Sequence, residues 1–592
     1  MHTSDGRWWI VLIVLAAVVL YLWGLGRVDF QDPDEGMYAE IAREMVAGGD
    51  WVVPRFNGVP YIEKPPLMYW LTASTFALIG PSEFTARMWK VIPMLGAIAV
   101  TGTLGSILFC ADAGIIASAA LATTLGVYLF SRISVMDPLL LLGVTLSALG
   151  VTRAGQERAS RLGALVSFWG GVVIGTMSKG FPGIVFPIML VLAWMGAHRS
   201  AFALRRLWDW RVVAVALLLI VPWHVAAAYR VPGFAQFYFV DNQVWRFLGN
   251  RTYQEDGRGL STSGFWLISF CVGFPWTPYF IAALQTCRRR LRDPRVRFLL
   301  SWNACIIGMF SVSSFKLEYY ALPAFPAAVL LIAGVLTAPG ALSRDRLTSA
   351  EGGATRPFRL WTVISVAGGI LFCVGVAWSW SSGLFTPLTI VQALTFWSTN
   401  YRIIFDDSLP LPAIIPSRYA ASLLAGGLIW VIGFAVALWW LRRSRPVRIV
   451  WATALVGCGL CLVCGHLLQE VGPHHSVRPL ADRLVSMLRP SDIIIHERGL
   501  EKSGGLIFRI QRPVLVLNGA SGDLDFGSRQ PGSERIFIST AAFERIWRGS
   551  TRTFLITDLP PARSALATVG DAGRVPIVST GTRWLYMNQT PS

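Results

Sequence analysis

The sequence predicts a mainly α, polytopic membrane protein with about 13 transmembrane helices, interfacial helices in its outer loops and a small C-terminal α/β domain outside the membrane. Three observations lead to that class. Of 592 residues, 54% are hydrophobic and only 15% are charged, where a soluble chain carries about 25% charged residues. Mean hydropathy is +0.53, and apolar runs approaching the ~20 residues of a membrane span recur along the chain. The net charge of +18 is carried by Arg in short inter-helix loops. That pattern fits cytoplasmic loops facing anionic head groups, and it argues against nucleic acid, which calls for one basic soluble face.

The first apolar run, Trp8 to Leu25, follows a short basic start. It is long for a signal-peptide core and no small-x-small site follows, so it is expected to stay as the first span. The expected spans are roughly 8–26, 91–110, 113–130, 138–152, 163–178, 183–197, 212–228, 263–284, 298–313, 321–338, 360–380, 420–441 and 449–468. With the N-terminus cytoplasmic, the inner loops hold Arg153, Arg158 and Arg161, then Arg199, Arg205, Arg206 and Arg211. The next hold Arg288, Arg289, Arg290, Arg292, Arg295 and Arg297, then Arg344, Arg346, Arg356 and Arg359, then Arg442, Arg443, Arg445 and Arg448. Positive loops mark the inside. Only the turn near Asp112 lacks a basic residue, and the alternation keeps phase to the end, which places the tail outside. The outer face then carries 27–90, 229–262, 381–419 and the tail, giving residues 1–470 as the transmembrane domain and 471–592 as a periplasmic α/β domain.

Lysine is rare. Lys64, Lys90, Lys179, Lys316 and Lys502 all fall on the expected outer side or its boundary, in a chain that otherwise uses Arg. A compact ammonium approaches a phosphate oxygen as a point charge, which marks Lys64, Lys179 and Lys316 as candidate phosphate ligands. None of the eight cysteines lies in a large hydrophilic stretch, so no disulfide framework is implied. Cys458, Cys461 and Cys464 sit in an apolar helix where steps of three drift round the cylinder, which favours packing over metal binding.

The first outer loop, 27–90, is the most informative stretch. Asp32-Pro33 reads as a helix N-cap and first-turn proline. Asp34 and Glu35 follow in the first turn, where carboxylates suit the helix dipole. Tyr38 shares a face with Asp34. The helix is short, follows a span directly and is expected at the membrane interface, so Asp34 sits at head-group level. Glu63-Lys64-Pro65-Pro66 then re-enters the membrane, with the prolines fixing where Lys64 points. Asp137, five residues after Arg132 at the outer end of a span, reads equally as a functional residue or as a structural one, an Asp-Pro helix cap or an ion pair with Arg132. His224 reads as structural, and His474 and His475 as linker residues. In the tail, DIIIHE, GLIFRI, VLVLNG, RIFIST and TFLITD read as strands.

DEGMYAEIAREM, GDWVVPRFNG and YIEKPPLMYW resemble the bacterial aminoarabinose (4-amino-4-deoxy-L-arabinose) lipid A transferases, within the protein mannosyltransferase-like group of GT-C glycosyltransferases. Further matching motifs are SEFTAR ending at Arg87, SRISVMDPLL with Arg132 and Asp137, SKGFPG with Lys179, PWH at 222–224, WRF with Arg246, GFPWTP at 273–278, and SSFKLEYYALPAFP with Lys316 and Tyr320. The resemblance is strong over about 8–335 and weak beyond. It implies an undecaprenyl-phosphate sugar donor, inverting transfer to a lipid A or lipopolysaccharide-like acceptor, Asp34 and Asp137 as the essential aspartates, and Tyr38, Lys64 and Arg246 at the donor phosphate. Glu35, Arg87, Arg132 and Tyr320 are expected to support them. It also implies a divalent metal near Glu63, but the usual histidine ligand is Gln243 here, preceded by Asn242. Met37 and Glu318 depart from the usual Arg and Pro. Protein O-glycosylation by the same chemistry and a lipid-linked sugar flippase are the competing functions; transport predicts charges at the bilayer midplane, whereas these cluster at one face.

Overall fold

In the computed structural model, the described residues are 5–31, 34–133, 136–253, 259–338, 355–384, 416–443, 446–520, 522–571, 573–580 and 583–589. The Asp32-Pro33 cap, the loop arginines Arg344, Arg346 and Arg445, and most of the outer piece 381–419 lie outside them.

The chain is mainly helical. In order it forms α1 (Asp5–Leu22), α2 (Asp34–Gly48), a hairpin of β1 (Arg55–Phe56) and β2 (Val59–Pro60), α3 (Leu67–Ile79), α4 (Glu83–Leu108), α5 (Ala111–Ala122), α6 (Leu125–Leu129), α7 (Asp137–Ala154), α8 (Arg161–Lys179), α9 (Pro182–His198), α10 (Phe202–Leu207) and α11 (Trp210–Arg230). Among the described residues, seven helices are long and apolar enough to cross a membrane: α4, α7, α8, α11, Arg356–Ser381, Arg418–Arg442 and Arg448–Glu470. Shorter apolar helices, α1, α5, α9 and Leu322–Leu336 among them, occupy other expected spans. Two expectations change. The span at 263–284 is a pair, Thr262–Val272 and Thr277–Arg290, bent by 103°. The loop 27–90 contains an apolar helix, α3.

Burial orders the bundle. The apolar window of α7 is 83% buried, that of α11 only 17%; α7 is the central helix and α11 presents its side chains to lipid. The antiparallel pair α7–α8 packs backbone to backbone. A Cβ on Gly143 would lie 2.7 Å from the Gly171 carbonyl oxygen, one on Gly171 2.3 Å from that of Gly143, and one on Gly150 2.5 Å from the Phe168 nitrogen. Small residues permit this approach, and dispersion over the close backbones holds it in lipid, where no hydrophobic drive separates helix from solvent. The same register brings the first residue of α7, Asp137, opposite the last of α8, Lys179.

After the helix Pro446–His475, the chain builds a six-stranded sheet in the order β5-β4-β3-β6-β8-β7. Its strands are β3 (Ile493–Glu497), β4 (Leu515–Leu517), β5 (Phe537–Ile538), β6 (Thr553–Thr557), β7 (Val578–Ser579) and β8 (Trp584–Met587). β3 pairs parallel with β4 and β6, β4 pairs parallel with β5, and β8 closes antiparallel on β6. GLIFRI, expected as a strand, is the helix Gly504–Ile510. Its apolar residues are buried all round, so no alternation distinguishes strand from helix. This helix lies flat on α2, where a Cβ on Gly36 would meet the Gly505 nitrogen at 2.1 Å. Asn57, in the Asn-Gly turn between β1 and β2, donates to the Val514 carbonyl at 2.7 Å and accepts from the Val514 N–H at 2.9 Å. Positive φ at Asn57 (55°) and Gly58 (77°) gives the tight turn such hairpins use. The first loop is thus fixed between the bundle and the C-terminal sheet.

Candidate active site

The start of α2 is set by a buried ion cluster. Arg87 donates from Nε and Nη2 to the two carboxylate oxygens of Glu35, at 2.8 and 2.7 Å, and to the carbonyls of Leu25, Val28 and Asp29. Lys90 adds a second cation at 3.7 Å, and the Gln31 N–H donates to Glu35 at 2.9 Å. Burial alone would raise the Glu35 pKa; the charge and hydrogen bonds of Arg87 outweigh it and hold it below the ordinary value. The fork geometry fixes the turn that carries Asp34.

The other edge of the first loop is clamped to α11. Arg230 makes two 2.8 Å bonds to Asp50, and Trp223 Nε1 donates to the Val52 carbonyl at 2.8 Å. Beyond α11 the chain winds into a π-helix, Gln236–Trp245, whose last turn returns to α geometry at Arg246–Leu248. Such wide turns concentrate at functional sites. It carries Asp241, Asn242 and Gln243 toward the Glu63–Lys64 segment. Asn242 donates to the Glu63 carbonyl at 2.5 Å, and Gln243 accepts from the Phe181 N–H at 3.3 Å.

A cavity of about 340 Å³ opens between these parts, lined by Lys64, Lys179, Asn242, Gln243, Arg246 and Tyr320 with an apolar wall that includes Phe181, Phe247, Phe310 and Phe315. Its cations come from three elements: the first loop, the end of α8 and the turn after the π-helix. Asp137 bonds Lys179 directly, so the expected alternative of an Asp137–Arg132 pair does not form. Lys179 also stands 4.3 Å from the Tyr320 ring centre and 5.1 Å from that of Tyr319. Burial above all, and then the charges of Asp34, Asp137 and Glu318, raise the pKa of the Tyr319 hydroxyl. Arg246 stacks on Phe315 at 4.4 Å and donates to Asn242 at 3.2 Å.

Other candidates fall outside the cavity lining. Tyr38 packs against Tyr69 and Tyr61, with ring centres 5.8 and 6.4 Å apart. Lys316 folds back to donate to the Ser313 carbonyl at 2.5 Å, fixing the turn beneath the cavity rather than reaching into it. Arg132 closes the C-terminus of α1, donating to the carbonyls of Leu20, Tyr21 and Trp23 while lying 4.6 Å over the Tyr128 ring. Unpaired helix carbonyls explain that destination. His224 hydrogen-bonds the Ile220 carbonyl through Nδ1 and stacks on Phe239, a structural setting.

Glu63 does not fit a metal. Arg251 donates to it at 2.6 Å and Lys64 lies 3.6 Å away. Burial would raise its pKa, but the charges of Arg251, Lys64 and Arg246 prevail and hold it at about 2. Asn242, which bonds the Glu63 carbonyl, offers only an amide, a weak metal donor, and among the described residues no group of three His, Cys, Asp or Glu forms. Sequence reasoning missed Arg251 and Asp241. The available signal was an Arg on the expected outer side, against the inside bias of that residue.

The helical bundle with its cation-lined cavity is that of a polytopic membrane glycosyltransferase, as its similarity to known proteins shows. The family model for dolichyl-phosphate-mannose-protein mannosyltransferases matches residues 8–238. The undecaprenyl phosphate-alpha-4-amino-4-deoxy-L-arabinose arabinosyl transferase 1 of Pseudomonas fluorescens (strain Pf0-1) is 30% identical over 548 residues, covering 90% of this chain and 86% of the relative. The corresponding transferase of Edwardsiella ictaluri (strain 93-146) is 26% identical over 545 residues, 90% of each chain. The crystal structure of ArnT from Cupriavidus metallidurans bound to undecaprenyl phosphate shares the fold, with a TM-score of 0.80, 24% identity and 98% of each chain covered. The chain belongs to the undecaprenyl phosphate-aminoarabinose arabinosyl transferase family and is a membrane glycosyltransferase.

Proposed function

We propose that the protein transfers a 4-amino-4-deoxy-L-arabinose-like sugar from undecaprenyl phosphate to lipid A, or to a closely similar glycolipid, at the periplasmic face of a bacterial inner membrane. Its N-terminus is cytoplasmic. Residues 1–470 are the catalytic membrane domain, with a count near 13 crossings, and 471–592 form a periplasmic domain that braces the first loop. The observation that carries the reading is the convergence of Lys64, Lys179 and Arg246 on one cavity whose remaining wall is mostly apolar, a surface for a phosphate that bears a hydrocarbon tail.

The chemistry follows from charge. An acceptor oxygen attacks the anomeric carbon from the face opposite the phosphate. The bond from that carbon to the phosphate oxygen breaks, the electron pair leaves with polyprenyl phosphate, and the configuration inverts. Negative charge grows on the leaving phosphate, so fixed cations favour the transition state over the ground state. Lys64 and Arg246 take this role, with Lys179 restrained by Asp137. An acceptor phosphate is already ionised and needs no base; Asp34 then orients the acceptor and stabilises positive charge on the sugar ring. For a hydroxyl acceptor, Asp34 removes the proton.

The test offers purified full-length protein a panel of undecaprenyl-phosphate sugars with lipid A, other glycolipids or peptides, and reads products by mass spectrometry. Sugar-modified lipid A is expected from the wild type and none from Asp34→Asn with folding intact. A fully active Asp34→Asn enzyme contradicts the role of Asp34; a peptide product alone contradicts the acceptor.

A further inference from the structure

Two buried carboxylates on different elements, Glu63 in the first loop and Asp241 in the π-helix, share one guanidinium. Arg251 donates to Glu63 Oε1 from Nη2 at 2.6 Å and to Asp241 Oδ2 from Nε at 3.3 Å, while the neighbouring Thr252 N–H donates to Asp241 Oδ1 at 2.7 Å. The side chains of Arg251, Glu63 and Asp241 are 11%, 5% and 1% exposed. Lys64, one residue from Glu63, keeps 3.6 Å from the same carboxylate and lines the cavity.

We propose that Arg251 is a positioning residue that supplies, from the protein itself, the cation the Glu63 carboxylate requires, so that Lys64 stays directed at the donor phosphate and transfer proceeds without a bound divalent metal. This rests on the donor-site reading above. The ion-pair geometry supports it. Arg251 bonds Glu63 at 2.6 Å, while Lys64 stays 3.6 Å from that carboxylate and lines the cavity. Removing Arg251 leaves Glu63 to draw Lys64 onto itself. A divalent ion on Glu63 would have to displace a guanidinium already hydrogen-bonded there, and the amides of Asn242 and Gln243 offer it little in exchange.

The test uses the purified full-length enzyme with an undecaprenyl-phosphate sugar as variable substrate. Metal content is measured by mass spectrometry before and after dialysis against EDTA; substoichiometric metal and a transfer rate unchanged within about twofold are expected. Arg251→Met is expected to raise the donor KM by about tenfold and to lower kcat as well, because Lys64 drawn onto Glu63 is lost to the phosphate in both the ground state and the transition state. Glu63→Gln combined with Arg251→Met is expected to bring KM back within about threefold of wild type, since no bare carboxylate then competes for Lys64. Melting temperatures of the same set, read in detergent with no donor present, are expected to show the same fall and recovery. A stoichiometric metal whose removal abolishes transfer, an unchanged KM in Arg251→Met, or a double variant no better than the single one overturns the proposal. If the wild type transfers no polyprenyl-linked sugar, the donor reading fails; the melting series still reads the Glu63–Arg251 pairing by itself.

Discussion

Asp137 and Lys179 are 42 positions apart and form one buried ion pair. Removing one partner strands a charge away from water, so Lys179→Met should cost about 3–5 kcal/mol of stability, and Asp137→Asn with Lys179→Met should recover much of it. Thermal unfolding in detergent, followed by loss of the monodisperse peak in gel filtration, reads both. Glu63 gives a pH signature. Its pKa is lowered from 4.5 to about 2 in the fold, so its stabilisation is complete above the unfolded value and is lost as pH falls through about 2. Glu63→Gln should therefore destabilise at pH 7, and its difference from wild type should shrink between about pH 4 and 2; a constant difference across that range would contradict the assignment. The sequence announced Lys64 and Lys179 through the scarcity of lysine. It could not announce Asp137 as the partner of Lys179, because an ion pair across such a distance follows from helix register rather than from local pattern.

The α7–α8 pair sets that register. Gly171→Val places side-chain atoms against the Gly143 carbonyl, and overpacking of this kind costs about 1–3 kcal/mol. Transfer should fall further than stability, because the helices separate where Asp137 meets Lys179; a variant with wild-type activity would show that the close packing does not position the pair. The spans were legible as apolar runs with basic loops between them. The 103° break between Thr262–Val272 and Thr277–Arg290 was not, since its Gly-Phe-Pro-Trp stretch is as apolar as the helices it joins. Nor was the π-helix at Gln236–Trp245, whose extra residue per turn leaves no compositional mark. That winding brings Asn242 onto Glu63 and Asp241 onto the arginine it shares with Glu63, and so the most informative part of the site after the first loop was the least readable.

On the scale of the whole molecule, the first loop is held from three sides: Arg87 and Lys90 of α4, Arg230 of α11, and the C-terminal sheet through Asn57–Val514 and the Gly36–Gly505 contact. Ending the chain after His475 would expose the buried face of α2 that carries Gly36 and Met37, and it should abolish transfer while the membrane helices remain inserted, as protease protection in membranes would report. Asn57→Ala, which removes two hydrogen bonds of this dock, should lower the melting temperature with a loss of about 1–3 kcal/mol. The tail was legible as alternating strands and helices, apart from the helix Gly504–Ile510, whose identity is settled by its partner α2. The account stands most directly on where the donor phosphate lies. A photo-crosslinkable undecaprenyl phosphate, reactive beside its phosphate, should label the 242–248 and 313–320 segments of the purified protein and be displaced by unlabelled undecaprenyl phosphate; labelling confined to the apolar groove between Trp266 and Ile332, with none at the lysine-lined cavity, would contradict it.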